Sequence, residues 1–166
     1  MSHVIAAVGL GTSLGACEIL ALAARALDRL PGTRVRSTSR IFRSPAAGGV
    51  ATGTFHNAVL TVDTDRDPDA LLSALKALEG RLGRRPTRAW ADRRIDLDLL
   101  VYGLRIIVGR SLVLPHPRIA TRSFVLAPLR DAWPAAVDPW TGGRYAAIPR
   151  DLLPVVGVLP RPRPGT

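Results

Sequence analysis

The run Ile95-Asp-Leu-Asp-Leu-Leu-Val-Tyr102 constrains this chain more than any other stretch. In an extended backbone, side chains at i and i+2 share a face. Asp96 and Asp98 therefore project together, while Ile95, Leu97 and Leu99 turn the other way into a core. Wound into a helix, the same two carboxylates would diverge, so the strand is what makes them a pair. Neighbouring carboxylates repel each other, and a strand gains nothing from them alone. Compensation must come from the arginines just upstream (Arg84, Arg85, Arg88, Arg93, Arg94) or from a divalent cation. Hard oxygen ligands suit magnesium, which takes one or two carboxylates plus substrate phosphates. Arginines beside such a pair suit the same phosphates through bidentate hydrogen bonds. The pattern reads as a magnesium–polyphosphate site. An isolated Asp-x-Asp also reads as a solvated strand face with salt bridges to nearby arginines.

At 166 residues the chain is long enough for one domain with a proper core. We expect a single α+β domain over residues 1–158. The tail 159–166, rich in proline and arginine, reads as mobile and unable to pack a core. The net charge is +10, and every basic residue except Lys76 is arginine, which invites an anionic partner such as a nucleotide or a nucleic acid. The single cysteine, Cys17, excludes an internal disulfide and suits a reducing compartment. No basic region precedes the short apolar run Val4–Leu10, and no apolar segment approaches the roughly 20 residues of a membrane span. A cytoplasmic location is expected.

Val4–Val8 reads as a short buried strand, with the glycine-rich Gly9–Gly15 as the turn after it. Helical spacing of Ile19, Leu20, Ala23, Leu27 and Leu30 predicts a helix over Ala16–Leu30. Thr33–Arg43 and Phe55–Val62 alternate as strands, and 44–53 is a loop of small residues. Asp67 or Pro68 opens a second helix, running to about Leu82 on a leucine stripe. The strand Asp96–Tyr102 turns at Gly103 into a paired strand, Ile106–Val108. Leu112–Arg118 is extended and enters a short helix, Arg122–Leu129 is helical, and 134–148 is irregular. The order predicts a ferredoxin-like split βαβ (βαββαβ) antiparallel sheet, with helices on one face and a C-terminal extension.

Several motifs, in this order, carry a family resemblance. They are Leu10-Gly-Thr-Ser-Leu-Gly15, Arg43-Ser-Pro45, Phe55-His-Asn57, Glu79 with Gly83-Arg84, Arg93 with Ile95–Leu100, Leu114-Pro-His-Pro-Arg118, and Arg122–Leu126 with Pro128-Leu129. Together they resemble 6-hydroxymethyl-7,8-dihydropterin pyrophosphokinase of folate biosynthesis, over about residues 4–150. The resemblance implies transfer of the β,γ-diphosphoryl group of ATP to the pterin's hydroxymethyl oxygen, releasing AMP. Asp96 and Asp98 would hold two magnesium ions; either could also draw the hydroxyl proton, and the sequence does not choose. Arg84 and Arg93 carry over as phosphate clamps, and Glu79, Trp90, His116 and Arg122 as further parts of the nucleotide site, Trp90 on a closing lid. Phe55 and Phe124 would sandwich the pterin, with Asn57 reading its edge and groups around Ser44, Pro45 and Ala47 assisting. A monomer is expected, with neither nucleic acid nor membrane as partner.

Departures from the family pattern bear on lid closure and substrate identity. Ala91-Asp92 stands in place of Gly-Pro, the loop between Arg84 and Arg93 is short, Ser13 replaces an asparagine, Ala46-Ala47 replace bulkier residues, and Thr121 stands where glutamate is common. Two alternatives follow: a paralogue acting on another pterin or alcohol, and a basic ferredoxin-like module binding nucleic acid. Eight aromatics with no stacking run speak against the second.

Overall fold

The computed structural model describes residues 3–14, 17–45, 53–84, 93–147 and 153–162. Its centre is β1 (Val4–Thr12), flanked by β4 (Thr54–Thr64) and β5 (Asp96–Tyr102), both antiparallel to it. On the far side of β4 lie β2 (Thr33–Thr38) and β3 (Arg40–Pro45). The sheet runs β5-β1-β4-β3-β8, with β2 also on β4, and β8 is Val155–Val158. The remaining pair, β6 (Ile107–Val108) and β7 (Val113–Leu114), forms a separate ribbon. Through β5 this is the expected α+β, ferredoxin-like arrangement.

Helices α1 (Glu18–Leu27) and α2 (Pro68–Arg81) cover one face. Leu20 and Leu27 from α1 and Leu71 and Leu75 from α2 bury against Val8, Leu60 and Leu97. Pro68 sits in the first turn of α2 after an extended Asp67, where its fixed φ helps and its missing N–H costs nothing. The C-terminal extension supplies α3 (Ser123–Ala132), which packs Leu126 and Leu129 on the opposite face, against Ala7, Val59 and Leu100. The sheet is thus covered on both sides, by the two expected helices on one face and by α3 of the C-terminal extension on the other. A register shift in the β1–β5 pairing allows this: Ala7 faces Val101 and Val8 faces Leu99, so Leu100 is an extra residue. Such a bulge sends consecutive side chains to one face, and Leu100 and Val101 both join the α3 cluster.

Other expectations need correcting. Gly9–Thr12 is strand, not turn, because β4 and β5 pair with it along both edges; tertiary pairing overrides the weak intrinsic preference of glycine. The single strand Thr33–Arg43 breaks at Ser39, whose hydroxyl takes the Val59 N–H. The strand after Gly103 pairs with β7 rather than β5. After Pro117 the chain makes turns and no helix before α3. β8 had no alternating signal to reveal it. The tail begins later than Leu159, which is 4% exposed and part of the main core; residues 163–166 lie outside the described set. No helix among the described residues is long and apolar enough to cross a membrane.

Candidate active site

The α3 face of the sheet is only partly covered by that helix. Beside it lies a cleft of about 560 Å3. Its floor follows from strand register. Gly11 stands between Asn57 on β4 and Asp96 on β5, and Gly9 between Val59 and Asp98. Directly paired residues in antiparallel strands share a face, so each row is a side chain, a bare backbone, and a carboxylate. With strands about 4.8 Å apart, Asn57 and Asp96 stand roughly 10 Å from each other. Absent side chains at 9 and 11 make the floor. A Cβ on Gly9 would meet Leu100 at 3.3 Å, and one on Gly11 would meet Asn57 Oδ1 at 3.4 Å.

Asp96 and Asp98 share a face as the alternation requires, with Leu97 and Leu99 buried behind them. β5 ends the sheet, so its outer N–H and C=O groups have no ladder partner. Two residues of α2 satisfy them. Glu79 accepts the Leu97 N–H at 2.6 Å, and Lys76 Nζ donates to the Leu97 carbonyl at 2.8 Å. Lys76 also bonds Glu79 Oε1 at 2.8 Å and Asp98 Oδ1 at 3.4 Å. Arg84 bonds Asp96 at 2.7 Å and also Glu79. Arg93 reaches the other Asp96 oxygen at 2.6 Å. Three cations and three carboxylates thus interlock.

Burial works to raise the Asp96 pKa, but Arg93, Arg84 and Lys76 outweigh it and hold the carboxyl below its usual range. Burial pushes Glu79 up, against the pull of Lys76 and the Leu97 amide. Glu79 is 2% exposed and does not line the cleft. Its oxygens bond the Leu97 N–H of β5, Lys76 and Arg84. Arg94 turns away to the Leu82 carbonyl, so among the described residues the arginines of the cluster are Arg84 and Arg93.

The opposite wall comes from the segment before α3. His116 is fixed by its N–H to the Leu100 carbonyl, at 2.7 Å. Its Nδ1 accepts the Arg118 N–H at 3.3 Å, and burial lowers its pKa, so the ring is neutral. The Arg122 guanidinium lies 5.4 Å from the Phe124 ring centroid, and Arg118 also lines the cleft. Phe55, Asn57, Ser44 and Pro45 line the end away from the acids. Asn57 Nδ2 donates to Ser44 Oγ at 3.0 Å, which fixes its amide plane. Trp90 and Ala47 fall outside the described residues, as do Arg85, Arg88 and Ala91-Asp92.

Among the lining residues that sequence reasoning did not propose are Gly9, Gly11 and Lys76. The glycines were hidden by their turn-like composition. Lys76 carried a usable signal, as the sole lysine of an arginine-rich chain.

The carboxylates offer the oxygen donors a hard cation takes. Among the described residues no group of three or more His, Cys, Asp or Glu could hold a metal by itself. Such an ion would complete its shell with phosphate and water oxygens, the usual habit of magnesium. The residues therefore fit a metal brought in with a polyphosphate.

Comparison with known proteins agrees with this geometry. The family model for 7,8-dihydro-6-hydroxymethylpterin-pyrophosphokinase matches residues 7–134. This chain belongs to that family. A 2-amino-4-hydroxy-6-hydroxymethyldihydropteridine pyrophosphokinase of Methylorubrum extorquens is 38% identical over 131 residues, covering 78% of this chain and 83% of the relative. The folic acid synthesis protein fol1 of Pneumocystis carinii is 36% identical over 157 residues, covering 92% of this chain but 21% of that longer protein. A crystal structure of Plasmodium falciparum HPPK-DHPS has the same fold, with a TM-score of 0.67 at 14% identity over 87% of this chain and 44% of that one. As a member of the pterin pyrophosphokinase family, the chain is an ATP-dependent transferase of folate biosynthesis. Neither the paralogue nor the nucleic-acid alternative gains support from these relatives.

Proposed function

We propose that the cleft transfers the β,γ-diphosphoryl group of ATP to the hydroxymethyl oxygen of 6-hydroxymethyl-7,8-dihydropterin. The new bond joins that oxygen to the β-phosphorus, and the bond from the β-phosphorus to the α,β-bridging oxygen breaks, so that this oxygen leaves with AMP. The observation that carries this reading is the row Asn57–Gly11–Asp96: an amide and a carboxylate at either side of a bare floor. A flat heterocycle laid there meets the amide with its polar edge and points its hydroxymethyl arm at the acids. Asn57 reads the edge, aided by Ser44 and Pro45, and Phe55 and Phe124 flank the ring.

Asp96 and Asp98 would hold two magnesium ions, which when bound offset the phosphate charge and align an in-line displacement. Arg84 and Arg93 pass from Asp96 to the phosphates, since planar guanidinium forks suit either anion. Either Asp96 or Asp98 takes the hydroxyl proton. Neutral His116 donates through Nε2 and Arg122 through its guanidinium on the nucleotide wall. The enzyme acts as one domain, as a cytoplasmic monomer, without nucleic acid.

The test is to incubate the protein with magnesium, ATP and the pterin and to identify the nucleotide product. AMP with a diphosphorylated pterin is expected, and ADP would contradict diphosphoryl transfer. In the same assay, Phe55→Ala and Phe124→Ala each weaken pterin binding about tenfold, the scale of one lost stacking contact, while ATP affinity stays within about twofold. Calorimetric titration with each substrate checks both numbers.

A further inference from the structure

Lys76 is the chain's only lysine, and its ammonium stands among the acids. Nζ lies 3.4 Å from Asp98 Oδ1 and 4.0 Å from Asp96 Oδ1. Two further acceptors, Glu79 Oε1 and the Leu97 carbonyl, hold it at 2.8 Å each. An ammonium has three donors that rotate to meet acceptors in different directions. A planar guanidinium presents its donors in a fixed fork and suits a single carboxylate better. Glu79 and Leu97 belong to the rigid helix–strand contact, so the ammonium is anchored from behind while its charge faces the carboxylate pair. The arginines differ: Arg93 reaches Asp96 and Arg84 reaches Asp96 and Glu79 through side-chain oxygens, whereas Lys76 is also tied to the backbone of β5.

We propose that Lys76 is a resident cation of the metal site. It keeps Asp96 and Asp98 side by side when no metal is bound, and it lowers their affinity for a divalent ion until polyphosphate oxygens add ligands and negative charge. Metal and nucleotide then bind tightly only together, which protects the acids from capture by free ions. Lys76 is a positioning residue, acting through the two aspartates. The inference rests on the reading of Asp96 and Asp98 as metal ligands.

The test is a titration of the folded protein with Mn2+, following the free ion by electron paramagnetic resonance, with and without a non-hydrolysable ATP analogue. Lys76→Met is expected to bind Mn2+ about tenfold more tightly than wild type without nucleotide, because one neighbouring positive charge is removed. The gain in Mn2+ affinity on adding the analogue shrinks by the same factor. Lys76→Arg keeps the charge and stays within about threefold of wild type. If Lys76→Met folds poorly, acetylation of the native protein serves instead, since Lys76 is the only side-chain amine and peptide mass identifies the product. Unchanged Mn2+ affinity in Lys76→Met or the acetylated protein, with normal binding in the presence of the analogue, overturns the role of Lys76 alone. Equal gains in Lys76→Arg and Lys76→Met overturn it too, since charge would not be the cause. Failure of every form to bind Mn2+, with or without analogue, overturns the metal reading itself.

Discussion

Asp98→Asn is expected to lower kcat by about 10^3-fold while leaving the melting temperature within about 2 °C of wild type. The amide keeps the size and one acceptor oxygen but loses the charge a hard cation requires. Several kcal/mol of transition-state stabilisation are at stake, and each 1.36 kcal/mol is about a factor of ten. The fold is spared because the Asp98 side chain is 46% exposed and its one direct ion pair among the described residues is with Lys76, at 3.4 Å. Single-turnover product analysis alongside thermal unfolding checks both halves. A variant retaining more than a tenth of wild-type kcat would remove Asp98 from the reacting centre. Asp96→Asn differs in kind, because Asp96 sits between Arg84 and Arg93. Its folded pKa lies below the usual 3.8, so the unfolded chain binds its proton first as pH falls. The stability this confers is complete above that usual value and is lost as pH drops through the lowered one. Asp96→Asn therefore loses activity and also flattens the acid limb of the stability curve.

The largest stability effect is expected at Glu79. Glu79→Ala costs about 3 kcal/mol in urea unfolding, near the lower end for breaking a buried charge pair, since Lys76 and Arg84 keep some access to water. Leu97 N loses its acceptor, and Lys76 Nζ and the Arg84 guanidinium each lose one of theirs. Glu79→Gln preserves an acceptor for Leu97 and costs about 1 kcal/mol. Glu79 also sets where β5 lies, so Glu79→Ala lowers kcat without moving the pterin dissociation constant, which depends on β4. Equal stability of the two variants would show that hydrogen-bond geometry plays no part in the cluster.

The paired acids were legible because a strand alternates with period two, and burying Leu97 and Leu99 leaves Asp96 and Asp98 nowhere else to point. α2 announced itself through Pro68 and its leucine stripe. What stayed hidden depended on neighbours distant in sequence. Gly9–Thr12 looks like a turn until strands on both flanks claim its backbone. Leu100 looks like the solvent side of β5 until α3 covers it. Glu79 resembled a ligand-binding residue by motif, yet the edge position of β5, a property of sheet order alone, turned its carboxylate inward. The resemblance named the residues of the cleft without showing how they divide between contact and support.

The unadorned middle of β1 has a chemical corollary. Its amides and carbonyls are committed sideways to β4 and β5, so a guest resting on Gly9 and Gly11 finds only a smooth, non-polar platform beneath it. Discrimination then falls to the perimeter, where a planar molecule with hydrogen-bonding groups along its rim gains everything and a puckered or thick one gains little.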